Sequence, residues 1–391
     1  MKKSTAALTF IVIVICGVVF VGGGAVCRMS RQQHEAPEAA EPEYIPALVI
    51  APPPEKETEP IDEQDYDIDD DEYGYEPEYI EEEDCNLVTV TISAAGDVTL
   101  GGDRRWAGYH AFMREFERSG RDHSHFLSNV RHIFEEDDLT IVNLEGTLTY
   151  ATEHMDKTFV FRGSPHFAQI LSSSGVDVVS LANNHTIDFF DRGYRDTIAS
   201  LEAEDVAYFG NEFNTILEVN GIYVGLFGYS IWNDSQHNRN LISASIADLR
   251  DRGAQLIIAY FHWGREGQNS IVPHQRTIGR FTIYSGADLV LGAHPHVLQG
   301  IEEYRGRYIV YSLANFSFGG NANPSDQDTM IFQQTFTFDD GVLQDTNDIN
   351  IISAFISSVR EYNNFQPTPA TGEDAERILQ RVRTYSDWLL E

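Results

Sequence analysis

The run GADLVLGAHPHVLQG, residues 286–300, decides how the chain is read. Ala287 to Leu291 is a short apolar segment of the kind that forms a buried strand. Directly after it, Gly292-Ala293-His294-Pro295-His296 offers two imidazoles two residues apart. In extended backbone such residues point the same way, so both rings are predicted to face one cavity. Pro295 stiffens the turn between them. Imidazole is the commonest protein ligand for a transition metal, which makes this strand end a candidate metal site.

Working outward, strands alternate with helices from Leu87 onward, and polar residues fall at the strand ends. LVTVTISAAG ends at Asp97, and LTIVNLE ends at Glu145. VDVVSLANNH ends at Asn184-His185, and QLIIAYFHWG carries His262. GIYVGLFGYS and RYIVYSLANFSF read as further strands, with helices over Pro165–Ser174, Asp191–Glu204 (capped by Asp191) and VPHQRTIGRFTIYSG. TMIFQQTFTF and NDINIISAFISSV suggest late antiparallel strands, and Glu373–Leu390 a closing amphipathic helix. This order predicts an α/β layered domain over 86–370, with 371–391 as a C-terminal helix packed on it. In open α/β sheets, sites form outside the carboxyl ends of the strands. Five strand ends bearing Asp, Glu, Asn and His side chains therefore point to a metal centre. His110, His123, His125 and His132 lack that context and read as a polar helix face.

The amino-terminal part has a different texture. Lys2 and Lys3 precede an uncharged apolar run, Ala6 to Val26, whose 21 residues would reach about 31 Å as a helix, one hydrocarbon core. Residues 1–34 are thus expected to hold a short tip and a transmembrane anchor, the helix running over about 6–26. The apolar run is longer than the core of a cleaved signal peptide. Lys2 and Lys3 are balanced by Arg28 and Arg31, so charge barely sets the orientation. Residues 35–85 read as an acidic linker rich in Pro, Glu and Tyr; 35–84 hold 21 acidic residues against Lys56 alone. Such a stretch buries too little apolar surface to order itself.

Composition narrows the function. The net charge is −34, and residues 85–391 carry −18 of it. Nothing in that balance replaces the counterions of duplex nucleic acid, which excludes it as a partner. An anionic polymer could bind only at a local basic patch or through a metal. The cysteines are Cys16, Cys27 and Cys85, so the domain holds neither a disulfide framework nor a cysteine-type zinc site.

GDVTLGGD (96–103), VNLEGTLT (142–149), SLANNHTIDF (180–189), FHWG (261–264), GADLVLGAHPHVLQ (286–299) and YSLANFSF (311–318) together resemble the CapA family. These are the poly-gamma-glutamate capsule synthesis proteins, an offshoot of the calcineurin-like metallophosphoesterase superfamily. The resemblance implies a four-layer α/β/β/α sandwich and a dinuclear centre of divalent ions, Mn, Fe or Zn, which suit mixed nitrogen and oxygen ligands. It implies Glu145 as the bridging carboxylate, with Asn184, His262 and His294 completing one metal and Asp97 and His296 holding the other. His185 would take the place of the general acid, oriented by Asp188. Asn143, Arg162 and Glu266 are candidates for substrate binding, and Asp103 for support.

Three departures stand out. The superfamily's Asp-x-His is here Asp97-Val98-Thr99, its Gly-Asp is Asn143-Leu144-Glu145, and the acid after the Asn-His pair is Thr186. One metal site is therefore expected to be weak. The implied protein is a single-pass protein of the cell membrane with a cytoplasmic tip and its domain outside. It would act in capsule polymer synthesis or export, alongside the polymer or its precursor and other membrane subunits. Its domain would be a metal-dependent hydrolase acting on a phosphoester, amide or acyl bond, or else a non-catalytic assembly or polymer-binding subunit.

Overall fold

The computed structural model describes residues 87–345 and 348–390. The expected anchor (6–26) and linker (35–85) lie outside them. Among the described residues, no helix is long and apolar enough to cross a membrane.

Two sheets form the frame. Among the described residues one has nine strands, ordered Thr368–Pro369, Asp348–Phe355, Asp328–Asp339, Leu87–Thr99, Leu139–Leu144, Val178–Ser180 and Ala207–Phe209, with Asn315–Phe318 and Val342–Leu343 alongside. Leu87–Thr99 pairs antiparallel with Asp328–Asp339 and parallel with Leu139–Leu144. The other sheet has six strands, ordered Ile301–Tyr304, Arg307–Val310, Leu289–Ala293, Leu256–Trp263, Ile222–Ile231 and Thr215–Val219. Its four central strands run parallel, and helices connect most of them, as parallel pairing requires.

The layer order follows from side-chain alternation. On Leu256–Trp263 every residue is buried, the pattern of a strand covered on both faces. Ile258 and Tyr260 enter a core shared with Ile92, Ile141 and Phe332 of the nine-stranded sheet. Ile257, Ala259 and Phe261 instead meet Ile242, Leu249 and Ile278, from helices Gln236–Asp251 and Pro273–Tyr284. The outer face of the nine-stranded sheet, through Val98, Val142 and Val179, packs on Phe112, Ile170 and Leu201 from its own helices. The sheets thus face each other, with helices covering the outer side of each.

Helix Phe190–Glu202 departs from the sequence reading. Phe189 is its N-cap and no side chain caps it; Asp191 lies inside the first turn, paired with Arg195 at 2.7 Å. The closing helix, Gly372–Asp387, buries Ile378 and Val382 in the core between the sheets. Its polar edge is clamped by Asp326 and Asp328. Arg377 donates two hydrogen bonds to Asp328 at 2.6 and 2.8 Å, and Arg381 reaches both carboxylates.

Burial by itself would raise the Asp328 carboxyl, but hydrogen bonds from Arg377 and Arg381 outweigh it and hold the group below the usual carboxylate range. A depressed folded pKa contributes stability that is complete above the unfolded value, about 3.9, and is lost as pH falls through the folded value. Thermal unfolding is expected to drop as pH is taken below about 4. Asp328→Asn should lower stability near pH 7 by about 2 kcal/mol and flatten that acid limb. Calorimetry against pH checks both.

Candidate metal centre

The site lies at the carboxyl ends of the parallel strands, on the face where the two sheets meet. Residues 258, 260 and 262 share one side of their strand, so His262 follows Ile258 and Tyr260 to the inner face. Asn143 follows Leu139 and Ile141 in the same way. Asp97 needs a correction in register. Val90, Ile92 and Ala94 face inward, and a bulge between Ala94 and Asp97 adds a residue, which turns Asp97 inward again. The bulge depends on Gly96: a Cβ there would sit 1.9 Å from the Ala314 carbonyl oxygen.

His294 and His296 reach the site differently from the sequence reading. The strand ends at Ala293, and both histidines adopt left-handed backbone, with φ of 95° and 59°. The two rings converge through this turn, not through a pleat, and their centroids are 5.9 Å apart. Non-glycine residues adopt such angles only when their surroundings impose them. Here the Gly267 amide donates to Pro295 O at 2.8 Å, and Asn315 Nδ2 donates to His296 O at 3.2 Å.

The ligand atoms form two groups around one carboxylate. His262 Nε2 lies 2.9 Å from Asn184 Oδ1 and 3.1 Å from His294 Nδ1. On the other side, His296 Nδ1 lies 2.9 Å from Asp97 Oδ2. Glu145 stands between, with Oε1 3.8 Å from His262 Nε2 and Oε2 3.9 Å from His296 Nδ1. Its residue is fully buried, and neither carboxylate oxygen has a hydrogen-bond partner. Burial, then the nearby Asp97 carboxylate, pushes the Glu145 carboxyl well above its ordinary range. Burial pulls His262 well below the usual imidazole value and His294 down to about 4, so both present neutral lone pairs. His296 moves the other way, to about 9: burial opposes its charge, but Glu145 and Asp97 prevail.

A buried carboxylate without donors, facing the neutral His262 and His294 imidazoles and an amide oxygen, with the raised His296 3.9 Å away, is a costly arrangement that a bound divalent cation would complete. The residues therefore fit a divalent metal centre. Asp97, Glu145 and His296 place one ligand atom each within 4.8 Å of one another, as do Glu266, His294 and His296.

Beside this cluster His185 is stacked on Phe161, with ring centroids 4.0 Å apart. Its Nδ1 bonds Asp188 Oδ2 at 2.6 Å, and its Nε2 lies 3.7 Å from Glu145 Oε1. Asp188 is fully buried and is held by Lys157 Nζ at 2.7 Å and by the Phe161 amide at 2.5 Å. Burial draws the His185 imidazole below its usual value despite the Asp188 carboxylate. A cleft of about 530 Å³ opens onto His185, His296 and Glu266, walled by Trp106, Phe159 and Phe318.

The remaining predicted residues fall in other places. Asn143, read as a substrate ligand, is fully buried; it donates to Asp97 Oδ1 at 2.8 Å and lies 3.4 Å from His262 Nδ1, so it positions those two side chains. Arg162 donates to Ala151 O and lines a separate pocket away from the donor cluster. Asp103 is gripped by Arg105 through paired hydrogen bonds. Thr99 spends its hydroxyl on Glu145 O at 2.8 Å and offers nothing to the cleft.

Three contributors escaped the sequence reading. Asn183 donates to Asn143 Oδ1 and Leu144 O, fixing the loop from which Asn184 projects. Trp232, just past Ile222–Ile231, packs edge-on to His294 at 4.8 Å. Lys157 comes from an irregular segment with no periodic signal. Trp232 alone had one, its position after an apolar strand.

An α/β protein with a buried carboxylate–histidine centre at its strand ends is the class defined by this geometry. The chain belongs to the bacterial capsule synthesis protein family PGA_cap, whose pattern matches residues 91–320. It is 27% identical over 257 residues to the capsule biosynthesis protein CapA of Bacillus anthracis, covering 59% of this chain and 60% of that one. It is 27% identical over 250 residues to the PGA biosynthesis protein CapA of Bacillus subtilis (strain 168), covering 59% and 63%. A probable polyglutamine synthesis accessory protein of Mycobacterium tuberculosis is 25% identical over 217 residues, covering 46% and 55%. The match thus spans about three fifths of the length of the two Bacillus relatives.

Metal analysis of the purified full chain checks the centre. Glu145→Gln and His294→Ala should each lower the bound divalent metal, while Asn143→Ala should keep the ligands and weaken affinity about 10–100-fold, as loss of a ligand's hydrogen-bond partner does.

Proposed function

We propose that this protein is a membrane-anchored participant in synthesis or export of a poly-gamma-glutamate capsule, and that its domain is a metal-dependent hydrolase facing outward. The capsule role is supported by family membership and by the names of the Bacillus relatives, capsule and PGA biosynthesis proteins. The anchor is supported by the uncharged run Ala6–Val26 and the acidic spacer that follows. Other membrane subunits and the anionic polymer, or its precursor, are the implied partners.

One observation carries the hydrolase reading: Glu145, with both oxygens unpartnered, stands beside His185, which neither group of ligand atoms uses. Asp97, Glu145, Asn184, His262, His294 and His296 would hold one or two ions of Mn, Fe or Zn type. Such ions, when bound, polarise a phosphoryl or acyl oxygen and lower the pKa of water. The chain supplies the proton handling. Asp188 accepts the Nδ1 proton of His185 and so leaves Nε2 as the free lone pair toward the cleft. Neutral His185 takes a proton there from an incoming polar group and returns it to the leaving group. Lys157 neutralises Asp188, and the Phe161 ring holds the imidazole flat against the cleft wall. Glu266, exposed at the mouth, offers a carboxylate near His294 and His296 where Thr99 offers none.

The second reading, a non-catalytic assembly subunit, is favoured by Thr99, whose hydroxyl is engaged by the Glu145 carbonyl. The two part at His185. His185→Ala is expected to keep metal content but to cut hydrolysis of a generic phosphodiester, or of γ-linked glutamate polymer, by about 10²–10⁴-fold. If polymer production survives His185→Ala yet is lost in His294→Ala, the site serves assembly and the hydrolase reading falls.

A further inference from the structure

Next to the cleft is a second pocket, of about 260 Å³, lined by Asp103, Arg104, Arg105, Thr152, His154 and Arg162 among others. The two cavities share a wall. Along the segment 159–162, Phe159 and Phe161 face the metal cleft, while Val160 and Arg162 face the second pocket. Along 104–106 the division repeats: Arg104 and Arg105 line the pocket and Trp106 the cleft.

The pocket holds three guanidinium groups and one carboxylate, and that carboxylate is spent. Asp103 is bound by Arg105 through hydrogen bonds of 2.6 to 3.2 Å and also accepts from the Val160 amide at 2.9 Å. Among the described residues neither Arg104 nor Arg162 has a carboxylate partner. Among the described residues the Arg162 side chain makes one hydrogen bond, from Nη1 to Ala151 O, and stacks on Phe189 at 5.2 Å. Arg104 lies over Tyr109 at 5.8 Å. Burial and the neighbouring Arg104 charge both work against the Arg162 guanidinium, drawing it below its ordinary value. In a chain of net charge −34, two uncompensated cations side by side in a concavity form a receptor for an oxyanion.

We propose that this pocket is a carboxylate subsite for the anionic polymer, in which Arg104 and Arg162 grip a side-chain carboxylate of one residue while a neighbouring bond of the same chain lies in the metal cleft. This rests on the polymer reading given above. The shared wall supplies the reason for a polymeric ligand, since one repeating chain can occupy both cavities at once. The chemistry recognised is a free oxyanion, so phosphate is the alternative source.

The experiment is calorimetric titration of the full chain in detergent, with divalent metal present, against a γ-linked glutamate oligomer and separately against inorganic phosphate. Arg162→Ala removes a hydrogen bond to Ala151, so Arg104→Glu, at an exposed residue, is the paired variant that leaves the fold intact. Each is expected to weaken oligomer binding about tenfold or more and to make the remainder less salt-dependent, with metal content unchanged. Glu145→Gln, which disrupts the centre, is expected to retain Arg-dependent oligomer binding. Oligomer affinity equal in wild type and both arginine variants overturns the subsite and leaves the polymer reading standing. Arg-dependent binding of phosphate with no binding of the oligomer overturns the polymer reading and the carboxylate assignment together. Binding of neither probe overturns the subsite.

Discussion

Glu145 is the constraint around which this domain is arranged. A carboxylate with no exposure and no hydrogen-bond donor costs more than most single interactions in a folded protein return. The surrounding atoms do not relieve that cost by hydrogen bonding. They supply Asp97, a second carboxylate, the lone pairs of His262 and His294, and His296, whose raised imidazole offsets only part of the charge. An apolar residue of similar size would be cheaper there, so stability alone does not account for the arrangement. It is intelligible as a place held for positive charge, whose arrival turns the repulsion between Glu145 and Asp97 into shared attraction.

The rest of the fold serves to hold those groups without slack. The two facing sheets set His262 and Asn143 by alternation along their strands, and the bulge before Asp97 sets the third position. Backbone strain enters where alternation cannot reach. The left-handed angles at His294 and His296 swing both rings toward Glu145, and partners on three other segments, Gly267, Asn315 and Asp97, hold them there. Gly292 allows this turn to sit close: a Cβ at that position would approach Tyr311 O at 2.2 Å and Trp263 Nε1 at 2.5 Å. The same requirement explains why glycine precedes both Asp97 and the Ala293-His294 turn.

Much of this was legible in the sequence because it follows from period. Alternating apolar residues fix a strand's two faces, and a polar residue at its carboxyl end must then emerge at the sheet edge. That logic places Asp97, Glu145, Asn184 and His262 at one edge, and it places His294 and His296 there too, although their rings converge through a left-handed turn. It failed where position along a strand stops determining direction. Asn143 lies one residue before its strand's end, deep enough to be sealed behind the ligands. Arg162 lies in a segment whose successive side chains serve opposite cavities, a division visible only once both cavities exist. Lys157 supports Asp188 from an irregular loop, where sequence carries no geometric period at all. The helix beginning at Phe190 misled for a related reason: Asp191 has the composition of a cap but sits two residues past the N-cap, Phe189.

Electrostatics sets a further condition on anything this domain handles. Residues 85–391 carry a net −18, so the summed field opposes the approach of an anionic ligand. At physiological ionic strength that field decays over about 8 Å, and what remains is decided by contacts. Positive features at contact range are therefore what an anionic chain can use. Two of them, Arg104 and Arg162, line the cavity next to the candidate metal centre. On the reading proposed above, an anionic chain must reach both cavities to overcome that repulsion. On that reading selectivity comes from the spacing of two local cationic features within a repulsive surface, not from overall attraction.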